Sequence, residues 1–308
     1  MPLIDPVLLK ARLGLLAGRF DVDACELCDS TSSELARRAE LGAPAGTVLV
    51  ADRQSAGRGR RGRQWLSSPE ASLTFSVLWR FTGSPARLAG LSLAVGVALA
   101  RAVDNLGASG VCLKWPNDVL LRQGDAYAKL AGILIELSSD RRGTQAVIGI
   151  GLNLLPPAGD LPQPAAGLSQ ALSTPAERHV VLAAILSALA GVLDAFAAEG
   201  FSAIKGEWQQ RHAWQGEAVS VLGEGEPPLP GRCLGADDDG ALLLETAAGI
   251  QRIFSGDVSL RRVASALGAR CEASTPGVRR AASTPVARPE GSALGAPPAG
   301  SVPEDTPA

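Results

Sequence analysis

Apolar residues in this chain arrive in two rhythms. Short runs bounded by polar turns, at 46–51, 73–79, 133–137 and 146–150, read as strands, and Val111-Cys112-Leu113 reads as one more. Spacing of three and four predicts helices over 33–41, 88–106 and 177–198; in the last, Val181, Ile185, Leu189, Val192 and Phe196 share a face. The alternation over 20–212 indicates an α/β or α+β domain, with a proline-rich connection at 156–175. A leader, 1–19, has room for one helix at 8–17. After 212, strand-like runs at 218–222 and 241–245 flank Asp237-Asp238-Asp239-Gly240. The Asp-Gly pair favours a hairpin turn, and the cluster lacks the length and distal Glu of a calcium loop. A small β module is therefore expected over 213–263. From 264 to 308 seven prolines and no aromatic residue predict a disordered tail.

Composition narrows the classes. The chain has 308 residues, 46% hydrophobic and 19% charged, enough for a core and for two domains. A net charge of −2 gives no global bias toward nucleic acid or membranes, so anion chemistry must come from local clusters. The longest apolar candidate, 88–106, is broken by Ser92, Gly96, Arg101 and Asp104, so no membrane association is expected. The N-terminus lacks the pattern of a secretory signal, which points to the cytoplasm. Five cysteines argue against a disulfide framework. Cys25-x-x-Cys28 has no second ligand pair for zinc, and it lies in a strand-like run rather than at a strand-to-helix turn.

Chemistry concentrates in five segments. Gln54-Ser55-Ala56-Gly57-Arg58-Gly59-Arg60-Arg61-Gly62-Arg63-Gln64-Trp65 follows Arg53, and 53–63 holds five arginines with no carboxylate until Glu70. Glycines let backbone approach a ligand, and guanidinium groups grip carboxylate and phosphate oxygens. An anion site, a nucleic-acid patch and a solvated basic loop all remain open; a dinucleotide fingerprint is disfavoured because no helix follows. Lys114-Trp115-Pro116-Asn117-Asp118 ends a strand at a proline, either as an Asn-Asp turn or as a site at a strand end. Lys129-Leu130-Ala131-Gly132 places one lysine in an apolar strand, as a point charge for a ligand or as a guard of a sheet edge. Gly149-Ile150-Gly151-Leu152-Asn153 leaves one sheet face bare, where something flat could lie. Asp29-Ser30-Thr31-Ser32-Ser33-Glu34 reads as a helix cap box with Glu34 three residues beyond Thr31.

Taken in chain order, from about Asp29 to Asn153, the segments resemble the biotin–protein ligases, and the small β module fits the same family. The resemblance implies an α+β fold: a mixed-sheet, class II synthetase-like catalytic domain followed by an SH3-like barrel. It implies ATP-dependent formation of biotinyl-5′-AMP and transfer of biotin to a lysine of a biotin carboxyl carrier protein of acetyl-CoA carboxylase or a related carboxylase. Biotin contacts then fall to Ser30, Thr31, Ser32, Gln54, Gly57, Arg58, Gly59, Arg60, Lys129 and Gly132. ATP and adenylate contacts fall to Arg60, Arg61, Arg63, Trp65, Lys114, Asn117, Asp118, Lys129 and Asn153. Lys129, Arg58 and Lys114 are the implied catalytic residues, and Asp118 the implied Mg²⁺ ligand. No tightly bound prosthetic group is implied.

Ser32 stands where the family often has Asn, and Gly124-Asp125-Ala126 lengthens the spacing to Lys129. The leader is too short for a helix-turn-helix, so no DNA binding is expected. An exposed strand edge would allow a homodimer. The competing readings are a lipoate–protein ligase and a non-enzymatic nucleic-acid-binding regulator.

Overall fold

The strand-like runs assemble into a seven-stranded sheet in the computed structural model, which describes residues 1–263 except 142, 160, 162 and 257. The expected tail, 264–308, lies outside the described residues. The strands are β1 (Asp21–Cys28), β2 (Thr47–Gln54), β3 (Ser72–Phe81), β4 (Val111–Lys114), β5 (Asp118–Gln123), β6 (Ala126–Asp140) and β7 (Gly143–Asn153). Their spatial order is β1-β2-β3-β7-β6-β5-β4. Only β1 and β2 run parallel, so the sheet is mixed and the class is α+β. The helices are α1 (Pro6–Leu13), α2 (Thr31–Glu40), α3 (Leu91–Asn105), α4 (Arg178–Glu199) and α5 (Ser202–Arg211).

The two-residue period of β3 sorts its side chains onto two unlike faces. Leu73, Phe75, Val77, Trp79 and Phe81 enter the main core with the helices α3 and α4. Ser72, Thr74 and Ser76 point the other way, and only Leu78 at the far end is apolar. There Leu78, Leu49 and Val147 pack beneath Leu35 and Ala39 of α2. One face is thus wholly covered by helices, and the other is covered at one end only. The uncovered stretch carries hydroxyls and glycines, and it is where the cavity forms.

The helix α4 buries more than its predicted stripe: Leu182, Leu186 and Leu193 are as inaccessible as Val181, Ile185 and Leu189. A helix apolar on all sides belongs inside a core. It and the stretch Pro85–Asn105 are long and apolar enough to cross a membrane by length and composition, and here they pack against each other and the sheet. Residues 1–19 contribute Ile4, Leu9 and Leu13 to the same core. Polar straps hold them: Leu3 N donates to both carboxylate oxygens of Asp52 at 3.1 and 3.0 Å, and Asp5 N to Nε2 of His179 at 2.9 Å.

Two local expectations change. The helix cap is Ser30, not Thr31: Ser30 Oγ accepts from Ser33 N at 3.4 Å, and the Glu34 carboxylate turns to Arg37 and Arg38. Asp118 opens a strand rather than sitting within a turn, with Trp115-Pro116-Asn117 as the hairpin loop. Cys25 and Cys28 are half-buried in β1, and no group of three or more His, Cys, Asp or Glu side chains among the described residues is placed to hold a metal.

The small module is a five-stranded antiparallel sheet of β8 (Ala218–Leu222), β9 (Leu229–Ala236), β10 (Leu242–Thr246), β11 (Gly249–Ile253) and β12 (Ser259–Arg262), ordered β11-β10-β9-β8-β12. Asp237 Oδ1 accepts from Asp239 N and Ala241 N, so the acidic cluster is a side-chain-braced turn. Its Gly240 carbonyl accepts the indole N–H of the fully buried Trp115 at 3.0 Å, which anchors the module on the catalytic domain.

Candidate functional site

A cavity of about 590 Å³ opens on the half-covered face of the sheet. Every site residue expected from the sequence lines it except Gly57. Gly57 instead sits at the base of the Gly-Arg loop, where its carbonyl accepts Trp65 N at 3.0 Å and a Cβ would collide with the Trp65 carbonyl. The loop is a hairpin: Arg58 pairs with Gln64, Gly59 N donates to Arg63 O at 2.7 Å, and Arg63 N to Arg60 O at 3.3 Å. Arg61 and Gly62 take φ of 59° and 66°, the pair of left-handed residues that closes a two-residue turn matched to strand twist.

Three arginines of this loop are held by defined partners. Arg58 lies against Glu136 of β6 at 2.6 and 3.1 Å and reaches Ser33 Oγ at 3.2 Å. Arg60 donates to Asn117 Oδ1 at 3.1 Å and to the carbonyls of Ser255 and Gly256 in the small module at 2.6 and 2.5 Å. Arg61 reaches Ser259 Oγ at 3.4 Å.

At the capped start of α2, hydroxyls form a chain. Gln54 Oε1 accepts from Thr31 N at 2.7 Å, Thr31 Oγ1 and Ser76 Oγ are 2.8 Å apart, and Ser76 Oγ and Ser32 Oγ 3.0 Å. Ser32 fits because it lies over Gly149, where a Cβ would collide with its hydroxyl.

The bare glycine face predicted along β7 is occupied by a flat group from the protein itself. Gly132 on β6 pairs with Gly151 on β7, and the indole of Trp65 lies over both. A Cβ on Gly151 would sink into that ring, 2.6 Å from its Nε1, and one on Gly132 would meet Lys129 Nζ at 3.0 Å and Trp65 Cζ3 at 3.3 Å. Trp65 Nε1 is buried without a partner among the described residues.

Cations gather at the neighbouring strand ends. Asp118 holds Lys129 Nζ at 2.6 Å through Oδ1 and Lys114 Nζ at 3.1 Å through Oδ2. A break in the β5–β6 register between Val119 and Leu120 brings Lys129, three residues before Gly132, over the same side of the strand as Gly132. The extra residues noted before Lys129 lie at the Gly124-Asp125 hairpin turn, away from the site. Lys129 also lies 5.7 Å from the Trp65 ring centre, and Lys114 5.3 Å from that of Trp214. The backbone of Lys129 is clamped by the proline-rich segment: its N–H donates to Pro164 O at 2.8 Å, and its carbonyl accepts from Ala166 N at 2.9 Å. Asn153 Nδ2 donates to the carbonyls of Lys129 and Ala166, and Asn117 Nδ2 to Ile133 O, so both amides brace the walls.

Burial alone pushes the Asp118 carboxyl up, but the ammonium groups of Lys129 and Lys114 outweigh it and hold it below the ordinary carboxylate range. Burial pushes Lys114 down, partly offset by Asp118. The sign for stability follows. A carboxyl lowered in the fold contributes fully above its unfolded value, and the contribution fades as pH falls through the folded one. Asp118→Asn is therefore expected to cost about 3 kcal/mol at pH 7, as for a broken buried pair. That deficit should shrink below pH 4 in urea melts, and a deficit unchanged between pH 7 and 3 would argue against the assignment.

Both oxygens of Asp118 are engaged by ammonium groups, so in this arrangement the carboxylate holds two lysines in place. Two lining contributions escaped the sequence reading: Thr74, and the 258–261 stretch with Ser259 and Arg261. Polar residues at alternate positions of an apolar strand, Thr74 and Ser76, were the available signal for the first. Nothing local marks Arg261.

Known proteins match this chain over both of its domains. Residues 25–153 match the biotin/lipoate A/B protein ligase family and residues 216–261 the biotin protein ligase C-terminal domain. The chain is 35% identical over 270 residues to the bifunctional ligase/repressor BirA of Escherichia coli, spanning 83% of this chain and 80% of that one. It is 36% identical to a biotin–[acetyl-CoA-carboxylase] ligase of Paracoccus denitrificans, over 75% of this chain and 96% of that one. Among solved structures, biotin protein ligase from Aquifex aeolicus in complex with biotin and ATP superposes with a TM-score of 0.66 at 34% identity, covering 79% of this chain and 99% of that one. By these matches, which run through both the cavity-bearing domain and the small module, the chain belongs to the biotin protein ligase family.

Proposed function

We propose that the cavity binds biotin and ATP, joins them as biotinyl-5′-AMP, and passes the biotinyl group to a lysine of a biotin carboxyl carrier protein. The observation that carries this reading is one cavity with a hydroxyl and amide slot at one end and a lysine–aspartate–lysine cluster at the other. A passage lined by the Trp65 ring, which lies over Gly132 and Gly151, and roofed by an arginine hairpin joins them.

The ureido ring, with two N–H donors and one carbonyl, suits Ser30, Thr31, Ser32 and Gln54. The carboxylate then points to Lys129. One of its oxygens attacks the α-phosphorus of ATP, a P–O bond forms, and the bond to pyrophosphate breaks. Bringing two anions together needs fixed positive charge in a dry site. Lys129 and Lys114, held by Asp118, supply it from below, and Arg58, Arg60, Arg61 and Arg63 from above. Trp65, with its unused N–H, and the walls braced by Asn117 and Asn153 suit the nucleotide. In the second step a neutral lysine amine of the carrier attacks the acyl carbon, the C–O bond to AMP breaks, and a proton leaves to solvent. The hairpin covers the reactive mixed anhydride against water. Mg²⁺ would enter with the nucleotide as its counterion, and no residue here is assigned to hold it.

The arginines support this reading over a nucleic-acid surface: Arg58, Arg60 and Arg61 are engaged within the protein rather than arrayed as an open basic stripe. Intact-mass measurement of a carrier domain incubated with this protein, Mg-ATP and biotin, beside lipoate with a lipoyl domain, tests it. An ATP-dependent gain of one biotinyl group is expected in the first tube alone. A gain only with lipoate would move the activity to the sister reaction.

A further inference from the structure

One hydroxyl in the cavity has no task in the scheme above. Thr74 is 4% exposed, lines the cavity, and its Oγ1 has no hydrogen-bond partner among the described residues. Its cross-strand neighbours on this face are Ala51 and Gly151, which offer no polar side chain. The hydroxyls next along the face are spent on one another, Ser76 with Thr31 and Ser32. An unpaired buried hydroxyl is costly, and valine would fill the same β-branched shape without that cost. A partner from outside the protein resolves the discrepancy.

Position says which atom that partner is. Thr74 lies two residues, about 7 Å, along β3 from Ser76, where the hydroxyl slot is. It also shares a cross-strand row with Gly151, covered by the Trp65 ring, and with Gly132, over which Lys129 Nζ lies. A ligand running from the hydroxyl slot to the ammonium cluster therefore passes Thr74 in the middle of its length. Between the ureido ring and the carboxylate, biotin has one heteroatom, the thioether sulfur, and it is a weak acceptor with no proton to give.

Resting on the ligase reading, we propose that Thr74 donates a hydrogen bond from Oγ1 to the ring sulfur of biotin and thereby sets its selectivity for the sulfur-containing ring.

The test compares biotin with dethiobiotin, which keeps the ureido group and the carboxylate and lacks sulfur. Pyrophosphate release is measured for wild type, Thr74→Val and Thr74→Ser. In Thr74→Val, kcat/KM for biotin is expected to fall about 5-fold, mostly through KM, with little change for dethiobiotin. The preference for biotin should shrink by that factor, and Thr74→Ser should keep it. Thr74→Ala gives the same readout should valine disturb the site. Equal losses on both substrates, or no loss on either, would overturn the role of Thr74 while leaving the ligase reading standing. Wild-type protein that activates neither compound would instead overturn the ligase reading, and the proposal with it.

Discussion

Replacing Lys129 by methionine is expected to lower the rate of adenylate formation by about 10³-fold while the protein stays folded. Methionine keeps the length and apolar stem of the side chain and removes the charge. What is lost is the ammonium that Asp118 holds at 2.6 Å, over Gly132 and beside Trp65, where the proposed reaction joins the carboxylate to the α-phosphate. Preorganised charge in a buried site costs nothing to reorient during reaction, and removing one such donor typically costs 10²–10³-fold or somewhat more. Lys114 cannot substitute, since it is bound to the other oxygen of Asp118 and lies against Trp214. Pyrophosphate release with biotin and ATP measures the loss. Chemically prepared biotinyl-5′-AMP should still bind, because the hydroxyl slot and Trp65 remain. Activity within a few-fold of wild type would remove Lys129 from the reaction.

Gly151→Ala is the second large effect. One methyl group is added, yet its position falls inside the indole of Trp65. Neither the sheet backbone of β7 nor the ring can absorb this locally, so the ring must leave. The backbone N–H of Trp65 closes the base of the hairpin on the Gly57 carbonyl, so displacement of the residue also loosens the loop. The apparent affinity for ATP is expected to weaken by about 10²-fold, and the emission of Trp65 to shift as its burial is lost. The clash predicts non-additivity between neighbours. In a Trp65→Ala background, Gly151→Ala should cost little more. Additive losses would mean that the two residues do not meet.

Much of the fold was legible because bounded apolar runs mark β2, β3, β6 and β7 and the two long helices carry wide apolar faces. β3 shows the limit as well as the reach. Its apolar alternation predicts a strand, but whether Thr74 and Ser76 face solvent, a helix or a ligand depends on how much of the face α2 covers. The same holds for Gly149 and Gly151. Their spacing announced a bare face, but that Trp65 would lie on it follows from a hairpin whose turn depends on left-handed backbone at Arg61 and Gly62. The cap was misplaced by one residue because Ser30, Thr31, Ser32 and Ser33 are nearly equivalent as caps, and the choice of Ser30 rests on tertiary hydrogen bonds of Thr31 and Ser32 to β2 and β3. The resemblance implies Mg²⁺ at Asp118, whereas its two lysine partners come from β4 and β6 and converge on it only once the strands pair. Arg261 and Ser259 reach the cavity across the boundary between the domains, which no local pattern encodes.

The bonds from Arg60 to Ser255 and Gly256, and from Arg61 to Ser259, tie the order of the hairpin to the seating of the small module. Thermodynamic linkage then runs both ways: whatever closes the hairpin tightens the module, and whatever undocks the module releases the hairpin. The small module acts as a latch on the chemistry although it contributes no strand to the catalytic sheet. Partial unfolding that spares the seven-stranded sheet would already silence the site, so thermal inactivation would precede loss of the main core.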